Sequence, residues 1–444
     1  MTSFSLPSDI MLLWQSFITW WMPIDKSIEE FIYFYPLFMA YIWMFGAIIF
    51  CIRFEWRNPS KISTFPLEKY PPVSILIPCY NEGENIRETI GILQKQQYPQ
   101  FEIIAINDGS KDNTLDILHT LAAQYENLRV VNLETNQGKA MGLKTAALLA
   151  KYEFLICIDG DALLAPEAAT WMIRHFIENP NVGAVTGNPR IRNRSTLLGR
   201  IQVGEFSAIV GMIKRAQRSY GKVFTVSGVI AAFRKSALFD VGYWSNDMIT
   251  EDIDISWKLQ LAGWTIRFEP NALCWVLMPE TLPGLWKQRV RWSQGGSEVL
   301  LRYFNQLFRW SSKGMWLLYC ECLISVSWAF LILLHLLYMP FEFLTETASE
   351  SLHDLSPSWT SMLLSVTCLF QFAVSLIIDS RYEAKNGGVG RYYYWMVWYP
   401  IVYWLINVST TIVGTIRALK KKRGQRAVWV TVDRGLREKS DQDI

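Results

Sequence analysis

Four long stretches of this chain carry almost no formal charge, and they cluster towards its two ends. Phe31 to Ile52 is 22 residues without Lys, Arg, Asp or Glu; Ser358 to Ile378 gives 21 and Tyr392 to Ile416 gives 25. Met315 to Phe341 is a fourth, carrying only Glu321 and His335. About 20 such residues in a helix cross a ~30 Å hydrocarbon core, so the chain is expected to be a multi-pass membrane protein. Ile10 to Ile24 is shorter and either spans with tilt or lies in the interface; with no Lys or Arg before it and no small-residue cleavage site after it, it is not expected to be a signal peptide. Trp14, Trp20, Trp21, Trp43, Trp316, Trp395, Trp398 and Trp404 lie in or at the ends of these segments, where indoles favour headgroup level.

Between the apolar runs lies Arg53 to Lys313, 261 residues of mixed composition, within reach of one large globular domain. The expected division is a membrane region over 1–52, this domain over 53–313, a second membrane region over 314–416 and a basic tail over 417–444. Arg53, Arg57, Lys61 and Lys69 follow the first long span, whereas Asp25 to Glu30 before it holds one Lys and three acids. The positive-inside rule then puts the domain in the cytoplasm, and Arg302, Arg309 and Lys313 agree. Glu342 to Pro357, with four acids and no Lys or Arg, should face outward. Arg381, Lys385 and Arg391 return the chain inside, so one more crossing would leave the C-terminus outside. Yet Arg417, Lys420, Lys421, Lys422, Arg423 and Arg426 favour the inside. Because Tyr392 to Ile416 contains Pro400 and Asn407, a re-entrant hairpin is the alternative to a single crossing.

Composition removes several classes of function. With 43 Lys+Arg against 40 Asp+Glu the net charge is +3, which gives no argument for nucleic-acid binding. At 51% hydrophobic the chain is not a disordered one. The four histidines are scattered, so a histidine zinc site or a Ser-His triad is not expected, and seven cysteines without a C-x-x-C read as reduced thiols.

The domain alternates strand and helix. Pro72–Pro78 reads as a strand ending in Cys79-Tyr80-Asn81-Glu82-Gly83, and Glu84–Gln97 as a helix. Phe101–Ile106 is a strand closing on Asn107-Asp108-Gly109-Ser110, followed by a helix over Thr114–Tyr125, a strand over Leu128–Leu133 and a helix over Ala140–Ala150. Phe154–Ile158 is a strand closing on Asp159-Gly160-Asp161. This order predicts a mostly parallel, doubly wound sheet, whose ligands bind outside the carboxyl ends of the strands. Those ends carry Glu82, Asp108, Asp159 and Asp161, so a nucleotide is expected there.

Taken singly, each motif has an ordinary reading. Asn-Asp-Gly-Ser is a common turn. Asp-x-Asp is common in loops, although one or two carboxylates can also hold a divalent ion that takes substrate phosphates. Asn136-Gln137-Gly138-Lys139 resembles part of a phosphate loop, but Leu133 and Ala140 stand where a Walker A motif needs Gly and Ser/Thr. Glu251, Asp252 and Asp254 follow Thr250, a candidate N-cap, and acids in a first turn ordinarily offset the helix dipole. Trp286-Lys-Gln288-Arg289-Val-Arg291-Trp292 reads alone as an amphipathic interfacial helix.

Together, in one order and flanked by spans, these motifs resemble the processive, inverting glycosyltransferases with a GT-A fold, the group of cellulose, chitin and hyaluronan synthases. Within it, Gly183–Arg192, Val226–Arg234, Val241–Trp244, Ile249–Leu259 and Leu285–Gly296 are similar to the branch that makes a bacterial β-1,6-linked poly-N-acetylglucosamine exopolysaccharide. The resemblance extends from about Phe31 to Asp433-Arg434-Gly435. It implies an α/β fold: a Rossmann-like GT-A domain on the cytoplasmic face, between N- and C-terminal transmembrane helices of the bacterial inner membrane. It implies UDP-GlcNAc as donor, a growing polysaccharide as acceptor, Mg²⁺ or Mn²⁺ as cofactor, a small membrane partner subunit, and control by cyclic di-GMP. Tyr80, Glu82, Asp108, Lys139, Asp159 and Arg291 would then bind the donor nucleotide, and Asp161 with Asp159 the metal. Glu251, Gln288, Arg289 and Trp292 would serve the acceptor and pyrophosphate, and Asp252 would be the general base. The rivals are another processive β-glycan synthase, a non-processive transferase acting on a lipid carrier, and a transporter with an appended domain.

Overall fold

A computed structural model describes residues 8–56, 67–345, 359–384, 388–422 and 424–427. Arg57, Lys61, Lys385, Arg423, the stretch 346–357 of the acidic loop and the Asp433-Arg434-Gly435 end lie outside the described residues.

The alternating segments form an eight-stranded sheet. Its strands are β1 (Val73–Cys79), β2 (Phe101–Asp108), β3 (Leu128–Leu133), β4 (Phe154–Ile158), β5 (Leu163–Leu164), β6 (Val182–Ile191), β7 (Ile230–Arg234) and β8 (Thr265–Val276), in the order β3-β2-β1-β4-β7-β6-β8-β5. β3, β2, β1 and β4 are parallel, as βαβ crossovers require. Beyond β4 the expected parallel pattern stops: β7 lies antiparallel to both β4 and β6, so the sheet is mixed. β1 is buried along its whole length, which is why it reads as a continuous apolar run with no alternation. The helices α2 (Ile86–Leu93), α3 (Thr114–Gln124), α4 (Lys139–Leu149) and α5 (Ala168–Glu178) pack on its two faces. α6 (Leu197–Phe206), α7 (Ile213–Tyr220), α8 (Lys235–Asp240) and α9 (Glu251–Leu261) complete the domain, and α10 (Leu282–Leu307) leads out of it.

Among the described residues, four helical segments are long and apolar enough to cross a membrane: Pro23–Glu55, Ser312–Tyr338, Trp359–Ser380 and Val402–Lys420. The first combines most of α1 (Ser8–Phe50), a 43-residue helix that also carries the Ile10–Ile24 stretch, with the π-helical turn Cys51–Glu55. α11 (Trp316–Thr345) and α12 (Trp359–Ser380) carry the next two. Phe34, Phe38, Phe45, Leu337, Val366 and Phe370 point outward from these helices, an apolar surface suited to lipid.

α1 rests on α7, where Tyr220 Oη donates to Ile42 O (2.7 Å) and Ser219 Oγ to Gly46 O (2.9 Å). Below this contact lies a buried charge cluster. Arg215 reaches Glu55 (2.6 Å) and Asp379 (2.9 Å), Arg190 reaches Asp379 (2.7 Å), and Arg194 reaches Glu383 (2.6 Å). It joins α1, α7, β6 and the end of α12.

The last apolar run does not form a hairpin. Gly390–Met396 makes a short 3-10 turn, and α13 (Tyr399–Lys420) then runs unbroken through Asn407, with Pro400 in its first turn, where its missing N–H has no helical partner to lose. Both ends of α13 rest on the domain. Tyr399 packs with Ile201 and Ala208 at one end. At the other, Lys421 pairs with Glu298 (2.9 Å) and Ala427 N donates to Asn246 O (2.9 Å). The described residues that follow α13 thus pack on the domain.

Candidate active site

The carboxyl ends of β1, β2 and β4 open on one crevice. After β2, Asp108 is fully buried and accepts from Gln137 N (2.7 Å, Oδ1) and Gly138 N (2.8 Å, Oδ2). Burial raises its carboxyl above the ordinary range, and the two N–H groups only partly offset this. Its carboxylate therefore secures the 135–138 loop, while each oxygen keeps a lone pair for a ligand. The loop comes so close that a Cβ on Gly109 (φ +66°) would lie 2.6 Å from Asn136 N, so this turn requires glycine. After β1, Tyr80 is half-buried and Glu82 is buried under the Asp-x-Asp turn, where a Cβ on Gly160 would lie 2.8 Å from Glu82 Cγ.

Lys139, the first residue of α4, is the hub of the crevice. Its Nζ lies 2.7 Å from Asp159, 3.0 Å from Glu251 and 3.0 Å from the carbonyl of Gly228. Burial opposes its charge, but Asp159 and Glu251 outweigh it and hold the ammonium above the ordinary lysine range. One cation thus ties the end of β4, the start of α9 and the turn before β7, three segments far apart in sequence.

The two acids opening α9 differ in state. Glu251 is driven below the usual carboxylate range because Lys139 outweighs its burial. Asp252 is pushed up by burial and then by the Glu251 charge, with Lys139 and Arg291 opposing. Its Oδ2 accepts from Gly228 N (3.1 Å) and its Oδ1 from Ile253 N (3.0 Å). Thr250 occupies the N-cap position as expected but makes no capping hydrogen bond; its side chain packs on α10 instead.

The Gln-x-x-Arg-Trp segment lies inside α10. Gln288 is buried, its Nε2 directed to Met278 Sδ (3.9 Å), while its Oε1 has no hydrogen-bond partner among the described residues. Arg291 is close enough to favour ionisation of both Glu251 and Asp252, and its buried Nε has no hydrogen-bond partner among the described residues. Arg289 departs from expectation. Its Nη2 is paired with Glu205 (2.9 Å) and its guanidinium lies 4.3 Å from the Trp292 ring centroid, so it holds Trp292 and α6 rather than facing the acids.

The donor set of Asp159 and Asp161 is two hard carboxylates, the chemistry that suits Mg²⁺ or Mn²⁺. An ion held by one or two carboxylates takes its remaining ligands from substrate phosphates and water.

Residues 71–295 match the family described as "Glycosyltransferase like family 2". The chain belongs to that family. Like this family 2 chain in 412 residues at 43% identity, over 91% of this chain and 98% of its own, is the poly-beta-1,6-N-acetyl-D-glucosamine synthase of Staphylococcus epidermidis. The enzyme of the same name from Staphylococcus aureus (strain COL) is 44% identical over 409 residues, again 98% of its length. Among solved structures, a mannosyltransferase from Pyrobaculum calidifontis in complex with GDP-Man and Mn²⁺ superposes with a TM-score of 0.63 at 16% identity, covering 89% of this chain and 98% of that one; the shared fold is GT-A.

Four contributors to the site escaped the sequence reading. Gly228 supplies an N–H to Asp252 and a carbonyl to Lys139, from a Val-Ser-Gly-Val turn that carries no chemical signature. Thr186 and Lys214 lie behind that turn, on β6 and α7, and neither stands in a motif that carries chemistry. The tail reaches the crevice too: Arg426 hydrogen-bonds Gln137 beside the Asp108 loop.

Proposed function

We propose that this family 2 glycosyltransferase is a processive inverting enzyme that polymerises N-acetylglucosamine from UDP-GlcNAc into β-1,6-linked poly-N-acetylglucosamine. The relatives named for that product, matched over nearly their whole length, support the product and linkage. The chemistry rests on one observation: Asp252, raised in pKa, stands beside a Lys139–Asp159–Glu251 cluster at the nucleotide end of the sheet.

Asp252 takes the proton from the 6-hydroxyl of the acceptor as that oxygen attacks the anomeric carbon of the donor. The C–O bond to UDP breaks, and α becomes β in one displacement, so no enzyme nucleophile is needed. Asp161 with Asp159 would hold Mg²⁺ or Mn²⁺, which when bound neutralises charge on the departing diphosphate. Arg291 is suited to a phosphate oxygen through its unpartnered Nε. Tyr80, Glu82 and Asp108 line the uridine end. Gln288 and Trp292 border the acceptor end, where α10 continues towards α11 and the growing chain can pass to the spans. The domain and the C-terminal tail both face the cytoplasm, on the inner membrane of a bacterium.

The test is Asp252→Asn in the full chain. With UDP-[¹⁴C]GlcNAc and Mn²⁺, the variant should bind donor as the parent does and release no UDP, while the parent product should be long and 1,6-linked by methylation analysis. Full UDP release by Asp252→Asn would overturn the base, and a product one sugar long would overturn processivity.

A further inference from the structure

Lys214, on α7, is a buried lysine that the mechanism above does not use. It is only 5% exposed, and among the described residues its Nζ makes one hydrogen bond, to Thr186 Oγ1 (3.1 Å), and pairs with no carboxylate within 4.0 Å. The neighbouring Arg215 turns the other way, to Glu55 and Asp379, so the junction cluster is satisfied without Lys214. Burying an unpaired ammonium is costly, and burial pushes this one down to about 7, opposed only by the charge of Asp252.

The geometry leads from Lys214 to Asp252. Thr186 Oγ1 accepts from both Lys214 Nζ and Ser227 N (2.8 Å). The next residue, Gly228, donates its N–H to Asp252 Oδ2 and its carbonyl accepts from Lys139. The Ser227–Gly228 turn is thus held from one side by Lys214 through Thr186 and from the other by Lys139. The charged groups that face Asp252 are Glu251 on its own helix, Lys139 on α4, Arg291 on α10 and Lys214 on α7. Lys139 is already committed to Asp159 and Glu251, whereas the one acid whose charge acts on Lys214 is Asp252.

We propose that Lys214 is a positioning residue for the transfer step: through Thr186 it fixes the Ser227–Gly228 turn on which the Asp252 carboxylate rests, and its charge keeps that carboxylate anionic. The proposal rests on the assignment of Asp252 as base.

Lys214→Met, Lys214→Arg and Thr186→Val, made in the full detergent-purified chain with Mn²⁺, test it by UDP release from UDP-GlcNAc. Lys214→Met should lower kcat by about tenfold or more, with KM for UDP-GlcNAc little changed, because the loss falls on the proton-accepting step. Without the cation Asp252 holds its proton more tightly, so the acid limb of the kcat profile should move to higher pH. Lys214→Arg should restore the acid limb and most of kcat. Thr186→Val should lower kcat, keeping the ammonium but cutting its link to the turn. A Lys214→Met enzyme with the parental kcat and pH profile, or with a loss confined to KM, overturns the proposal. If Lys214→Met does not fold, a Thr186→Val enzyme with the parental kcat would do the same. Asp252→Asn run in parallel separates the two claims: an active Asp252→Asn defeats the base assignment, whereas an inactive one beside a parental Lys214→Met defeats this proposal alone.

Discussion

Lys139 shows how much one side chain can organise. Removing it as Lys139→Met leaves Asp159 and Glu251 facing each other in a buried site without their cation. Loss of such a preorganised charge should cost UDP-release activity about 10²-fold or more. It should also lower the melting midpoint, since breaking a buried pair by removing one partner costs about 3–5 kcal/mol. Thermal unfolding and UDP release on the same preparation check both. The acid pair sets the pH response. Asp252 must be ionised to accept a proton and its pKa is raised by burial and by Glu251, so kcat should fall with falling pH at values above those of an ordinary carboxylate. Glu251, held ionised by Lys139, should not contribute to that limb. A kcat–pH profile with no acid limb above the ordinary aspartate range would contradict this.

At the scale of elements, the contact between α9 and α10 carries the register of the site. Gly295 lies against Thr250: a Cβ there would sit 1.9 Å from Thr250 Oγ1 and 2.6 Å from its Cβ, so the side chain cannot simply rotate aside. The adjacent Gly296 has only the tip of the Phe224 ring, at 3.4 Å. Gly295→Ala should therefore push α10 from α9, displacing Gln288 and Arg291 from the acids. It should destabilise by about 1–3 kcal/mol through overpacking, with a fall in kcat. Gly296→Ala should be neutral, or stabilising by up to about 1 kcal/mol from helix propensity. Melting curves and turnover of the pair distinguish the two positions, and equal behaviour would sink the argument.

For the whole molecule, the decisive feature is how the apolar helices are fastened to the sheet. The Glu55, Arg190, Arg194, Arg215, Asp379 and Glu383 cluster joins α1 and α12 to β6 and α7 where charge is shielded from water. Arg215→Met leaves Glu55 and Asp379 short of a partner and should destabilise by about 3–5 kcal/mol, read as a fall in the detergent melting midpoint. Tyr382, which donates to Glu55 Oε2 (2.7 Å), lies at the edge of the cluster, and Tyr382→Phe should cost about 1 kcal/mol, the net worth of one hydrogen bond. The return of α13 to the domain predicts that a C-terminal alkaline phosphatase fusion is inactive and a fluorescent-protein fusion bright. An active phosphatase would place the tail on the far side.

What sequence alone determined here is what depends on local order. Uncharged runs of sufficient length marked the helices able to span, because hydrocarbon imposes a minimum length on any segment that crosses it. β3 and β4 were legible to the residue, since buried strands bounded by polar turns announce themselves over a few positions. Asp108, Asp159, Asp161, Glu251 and Asp252 were found as motifs because strand ends and a helix start bring adjacent residues to one place. Tertiary structure decided what depends on residues distant along the chain. Lys139 meets Asp159 and Glu251 across 20 and 112 positions, and no periodicity records such a meeting. Arg289, one position from Gln288 in the same motif, turned to Glu205 because a helix sends neighbouring side chains about 100° apart. The antiparallel β7 and the unbroken α13 were settled the same way, by packing partners that only the assembled fold supplies.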